Sequence, residues 1–132
     1  MITEDYVSFE TAKLLKEKGF AETSNTIGTY NDKGEFYLYK HEKGYNHNHL
    51  TSWYSAPTLQ MTMKWLRDEK HYYIQVMLDG WACGGHSGYY VVIQKTDSDF
   101  EMMLQDAVDD VFYQTYEEAA EAGIKYCLEN LI

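Results

Sequence analysis

The sequence predicts an α+β fold, an antiparallel sheet of about four strands packed against helices in the order α-β-β-α-β-β-(α)-α. Three observations lead there. Two pairs of β-rich runs, 26–30 with 35–40 and 72–78 with 89–95, are each joined by a link rich in Gly, Asn or Asp. Helical stripes with cap residues precede, separate and follow these pairs. The hydrophobic period changes from helical to alternating within a few residues of Lys70, so the middle helix is expected to pack on the sheet that holds the next strand. A length of 132 residues suits one domain, 1–132.

The first helix is expected over Phe9 to Lys18, with Ser8 as its N-cap. Thr11, Leu14 and Leu15 form its apolar side. Gly19 fits a left-handed C′ position, from which Phe20 folds back on Leu15. Thr26–Tyr30 and Glu35–Lys40 then read as a hairpin across Asn31-Asp32-Lys33-Gly34, where Asn and Gly tolerate a tight turn. Residues 41–52, HEKGYNHNHLTS, read as a polar loop.

The stretch SAPTLQMTMKWLRDEKHYYIQVML, 55–78, organises the middle of the chain. Ser55 is expected to cap a helix whose first turn holds Pro57, the only proline. Leu59, Met63 and Leu66 recur at helical spacing, and Lys64, Arg67 and Lys70 fall toward the negative end of the helix dipole. The strand that follows divides into Tyr72, Ile74, Val76 and Leu78 on one side and Tyr73, Gln75 and Met77 on the other. A glycine-rich link leads to the strand Tyr89–Lys95. Over 97–111, Phe100, Met103, Leu104, Ala107, Val108 and Val111 match a helical stripe, and Ser98 with Glu101 matches a capping box; the acidic residues near Val111 and the aromatic Phe112-Tyr113 allow instead an irregular loop and a short strand. Thr115 and Glu118 form a second capping box. It opens a last helix with Tyr116, Ala120, Gly123, Ile124, Cys127 and Leu131 on one face.

Charge is distributed unevenly. The net charge is −10, and in residues 97–132 Lys125 stands against Asp97, Asp99, Glu101, Asp106, Asp109, Asp110, Glu117, Glu118, Glu121 and Glu129, a net of −9. Such a block repels phosphate backbones and argues against ordinary nucleic-acid binding. It reads either as a solvated face or, around Asp106, Asp109 and Asp110, as an acidic surface that meets a basic enzyme by imitating DNA. No apolar run is long enough for a membrane helix, and the acidic start MITEDYVSFE lacks a secretory core. Two cysteines give no disulfide framework, which fits a reducing cytoplasm.

Candidate chemistry is sparse. His41, His47 and His49 share one loop, and His47 and His49 would lie on one side of an extended chain; with His86 they form the candidate metal set of the alternative reading, a small hydrolase or nuclease. No cofactor is otherwise implied. Gly85-His86-Ser87-Gly88 lacks the second glycine and the following helix of a nucleophile elbow. Cys83 beside His86 lacks a third, orienting group. Asp97–Glu101 lacks the turn glycine and distal glutamate of a calcium loop. The aromatic signal says more, since the chain holds 13 tyrosines. If Phe36 and Leu38 face the helices with the buried strand residues, the opposite face carries Tyr37, Tyr39, Tyr73, Gln75, Tyr90 and Gln94. Tyrosines with amides make a flat, amphipathic surface suited to an unidentified protein partner. Cover by the 41–54 loop or the 97–111 segment is the competing reading.

YVSFETAKLLKEKGF near the start, SAPTLQMTMKWLR in the middle and TYEEAAEAGIKYCLENLI at the end resemble a family of small uncharacterised proteins from gut bacteria and their phages or other mobile elements. The likeness covers about half the chain and consists of helix caps and core stripes. It implies a shared fold and a context, a cytoplasmic accessory protein of a bacterium or its phage. It implies no active-site residue and no oligomeric state. The lack of a convergent catalytic set, together with the tyrosine-rich sheet face and the acidic C-terminal region, favours a non-enzymatic protein-binding module of phage or prophage origin that uses one of those two surfaces.

Overall fold

A computed structural model describes residues 1–79, 88–104 and 112–132, with the backbone alone at 41 and 42. The fold is α+β. Its elements are α1 (Phe9–Glu17), β1 (Ser24–Asn31), β2 (Phe36–Tyr45), β3 (Trp53–Ala56), α2 (Leu59–Lys70), β4 (Tyr72–Asp79), β5 (Gly88–Lys95), β6 (Glu101–Leu104) and α3 (Tyr116–Tyr126), followed by a π-helical turn at Cys127–Leu131. The chain forms two compact units, Met1–Thr62 with Ile132, and Met63–Leu131. Among the described residues the strands form two three-stranded sheets, β2-β1-β3 and β4-β5-β6, where the sequence suggested one sheet of about four. Two strands account for the difference. β3 and β6 are four residues each, too short for alternation to stand out against loop or helix spacing.

In the first unit the expected caps are present. Ser8 Oγ accepts from the Thr11 amide at 3.2 Å. Gly19 takes φ +88°, and the Phe20 amide reaches back to the Leu15 carbonyl at 2.9 Å, closing α1 with both side chains buried. The hairpin turn falls at the expected residues. Asn31 Oδ1 accepts from the Lys33 and Glu35 amides at 2.9 and 3.0 Å, and Gly34 supplies the positive φ of 78°. One face of this sheet carries Tyr30, Phe36 and Tyr54. The Phe9 ring of α1 lies 5.4 Å from Tyr30 and 5.6 Å from Tyr54. Gly28 leaves the space that the Phe36 ring fills, since a Cβ there would stand 2.2 Å from Phe36 Cε2.

Four expectations are corrected. Ser55 does not cap α2: it pairs with Thr29 inside the sheet, and its hydroxyl accepts from the His47 amide at 2.6 Å. Thr58 holds the helix start instead, its Oγ1 accepting from Met61 N–H at 3.1 Å, so Pro57 precedes the helix and offers its carbonyl to the Val7 amide. The polar segment 41–52 is not all loop, because β2 runs on to Tyr45. Phe36 and Leu38 do not both vanish into a core: they are 41% and 49% exposed on an edge strand.

In the second unit a single residue, His71 at φ 66°, links α2 to β4, and its carbonyl accepts from Thr96 N–H at 2.8 Å. β4 and β5 pair antiparallel from Tyr72↔Lys95 to Asp79↔Gly88. The fourth correction falls on 97–111. Residues 101–104 form β6 against β5, with Gln94↔Glu101 and Val92↔Met103, and the Lys95 amide closes the turn on the Phe100 carbonyl at 3.1 Å. For residues 101–104 a ladder of backbone bonds to the edge of β5 outweighs the helical spacing. Residues 105–111 lie outside the described residues. α3, capped by Thr115 Oγ1 on the Glu118 amide at 3.1 Å, covers one face of this sheet. Gly123 is the close-approach point, where an added Cβ would meet Val91 Cγ1 at 2.9 Å and Ile74 Cγ2 at 3.1 Å. Ile74, Val91 and Ile93 are buried on that face, and Ala119, Ala120, Ile124, Cys127 and Leu128 are buried in the helical segment.

Candidate functional site: the tyrosine-bearing sheet faces

The expected six-residue tyrosine surface is divided between two sheets. Tyr37 and Tyr39 stand on β2 of the first, whereas Tyr73, Gln75, Tyr90 and Gln94 stand on β4 and β5 of the second. Within each hairpin the strand parity is the expected one. Parity alone carries no information about which hairpins share a sheet.

On the first sheet Tyr37 and Tyr39 share a face with Thr29, Ser55 and Trp53. This face is organised around the 9%-exposed His47. Its Nδ1 lies 2.8 Å from Thr29 Oγ1. Its ring centroid lies 4.2 Å from that of Tyr45, 5.1 Å from Tyr39 and 6.3 Å from Trp53. The surrounding loop is built rather than slack. Asn46 and Asn48 donate to the Glu22 and Phe20 carbonyls at 2.8 Å each, and Asn48 Oδ1 accepts from Ser55 N–H at 2.8 Å. Lys16 Nζ gathers the carbonyls of Leu50, Thr51 and Trp53. His47 and His49 therefore do not lie on one side, as an extended loop would have placed them: the first is inside the aromatic cluster and the second is exposed. The chain turns at 48–49, and a turn breaks the two-residue parity of a strand. Of the remaining candidate ligands, His41 is described by backbone alone and His86 lies outside the described residues, as do Cys83, Asp106, Asp109 and Asp110. Among the described residues no three His, Cys, Asp or Glu side chains form a metal-holding group.

On the second sheet the face opposite α3 forms a grid. Its rows are Tyr73–Gln94–Glu101, Gln75–Val92–Met103 and Met77–Tyr90. Tyr73, Met77 and Met103 are 40%, 38% and 58% exposed. A ladder of side chains crosses the three strands: Gln75 Nε2 donates to Gln94 Oε1, and Gln94 Nε2 donates to Glu101 Oε2 at 3.1 Å. Each amide thus satisfies its neighbour, so the polar part of the face is pre-ordered without being buried. The Arg67 guanidinium lies 6.0 Å from the Tyr73 ring centroid. Its charge is met by Asp68 at 3.5 Å. The hydrogen bond from Lys64 holds the Asp68 carboxyl below its ordinary value; desolvation opposes it, and the nearby Lys64 and Arg67 charges reinforce it. At the far end the Tyr90 ring meets Phe112 at 5.9 Å. Beside the first row, Tyr73, Gln94, Asp99, Phe100 and Glu101 line an open concavity of about 390 Å³.

No protein-family model, curated protein or solved structure matches this chain. Function is therefore argued from these side chains.

Glu101 and Met103 are the face residues that the sequence reading missed. The helical spacing of 97–111 masks them, and a strand of four residues offers only two alternations against it. No helix among the described residues is long and apolar enough to cross a membrane.

Proposed function

We propose that the protein is a non-enzymatic protein-binding module, an accessory protein of bacterial or phage origin, and that it docks its partner on the open face of the β4-β5-β6 sheet. The supporting observation is the contrast between the two sides of that sheet. One is closed by α3 at Gly123. The other presents Tyr73, Tyr90, Met77, Val92 and Met103 around a satisfied Gln75–Gln94–Glu101 ladder. Tyrosine offers large contact area at low conformational cost, and methionine adapts to varied shapes. A ladder that is already ordered reduces the entropy lost on association.

A photo-crosslinking phenylalanine analogue placed at position 103 tests this reading, with the same group at exposed Lys64 on α2 as the comparison. The expected result is a discrete crosslinked species in cells from position 103 alone, lost on Val92→Asp. Equal yields at the two positions, or no product from 103, would reject the face as the docking surface.

A further inference from the structure

The open face is polar and anionic at one end and apolar along the rest. Its first row ends on the Glu101 carboxylate, which Gln94 orients through a 3.1 Å hydrogen bond. Asp99 and the Tyr73 ring border the same concavity. The neighbouring lysine is already engaged, since Lys95 Nζ lies 3.8 Å from Asp97 and 5.7 Å from the Tyr72 ring centroid. The chain's own chemistry shows what suits the ring: Arg67 brings a guanidinium to Tyr73. The next rows carry Val92 and Met103, then Met77 and Tyr90.

Resting on the docking surface proposed above, we propose that the partner is an extended basic segment of another protein, laid along the strands, with an arginine seated at Tyr73 and Glu101. A planar guanidinium stacks on a ring and bonds a carboxylate in two places, which a lysine ammonium cannot do. Successive rows along β4 and β5 are two residues apart, roughly 7 Å. An extended partner presents alternate side chains at that same spacing. The recognised pattern is therefore arginine, any residue, apolar, any residue, apolar. The net charge of −10 draws a basic segment in and makes its capture sensitive to salt.

The probe is the peptide acetyl-Arg-Ser-Leu-Ser-Leu-amide, titrated into the full chain and followed by backbone amide NMR. Its controls carry citrulline or lysine in place of arginine. The expected result is a saturable shift of the Tyr73, Gln94 and Glu101 amides from the arginine and of the Val92 and Met103 amides from the leucines. Citrulline should weaken binding at least tenfold, lysine less. Glu101→Gln should weaken the arginine peptide to the level of the citrulline peptide and leave the citrulline peptide unchanged. Arginine and citrulline peptides binding within twofold of each other would overturn the arginine seat while leaving the docking face in place. Crosslinking from position 103 with no peptide binding would do the same. Because the decisive comparison varies the peptide, it does not depend on a variant that folds.

Discussion

Replacing Gly123 by alanine adds one methyl group where α3 lies closest to its sheet. The new Cβ would stand 2.9 Å from Val91 Cγ1 and 3.1 Å from Ile74 Cγ2. Both neighbours are β-branched strand residues, Val91 at 0% and Ile74 at 7% exposure, so neither methyl group has room to rotate away. Overpacking of this kind costs about 1–3 kcal/mol. Alanine in a helix interior returns about 1 kcal/mol relative to glycine. The variant is therefore expected to be about 1 kcal/mol less stable, a fall in melting temperature of roughly 3–5 °C for a chain of this size. Val91→Ala removes the nearer obstruction and leaves Ile74 Cγ2 at 3.1 Å, at a cost of about 2 kcal/mol for the space it opens. In that background Gly123→Ala should become neutral or stabilising, an interaction of about 1–2 kcal/mol between the two sites. Urea unfolding of the four proteins, followed by far-ultraviolet circular dichroism, measures it. Additive effects, or a Gly123→Ala protein more stable than the parent, would refute the close approach of helix and sheet.

Two further outcomes can be checked. Ser55→Ala removes the buried hydroxyl that accepts the His47 amide and should cost about 1–3 kcal/mol, with amide exchange at the start of α2 unchanged. Thr58→Ala should cost about 1 kcal/mol and speed exchange at Met61, whose amide it caps; the reverse pattern would restore Ser55 as the cap. Burial pushes the Cys127 thiol up to about 12 from an ordinary 9.0, so the fold favours the neutral form. That contribution is complete below pH 9 and is lost as pH rises toward 12. Over this window the protein should lose stability relative to its Cys127→Ala variant at up to about 1.4 kcal/mol per pH unit. Parallel denaturation curves for the pair would show that Cys127 is not shielded.

The sequence by itself determined the elements that rest on contacts within a few residues. The Ser8 and Thr115 caps, the Gly19 stop and the 31–34 turn depend on bonds between near neighbours, and the parity of 72–78 and 89–95 shows in the alternation of adjacent residues, so local chemistry sufficed. Tertiary structure decided the rest. Whether Ser55 caps a helix or joins a strand depends on Thr29 and His47, which no local pattern contains. Whether Glu101 and Met103 belong to a helix or to a sheet face depends on an available edge of β5. The division of the tyrosines between two sheets is of the same kind. Alternation fixes which way a side chain points from its own strand, and only pairing between distant strands fixes which other side chains it stands beside.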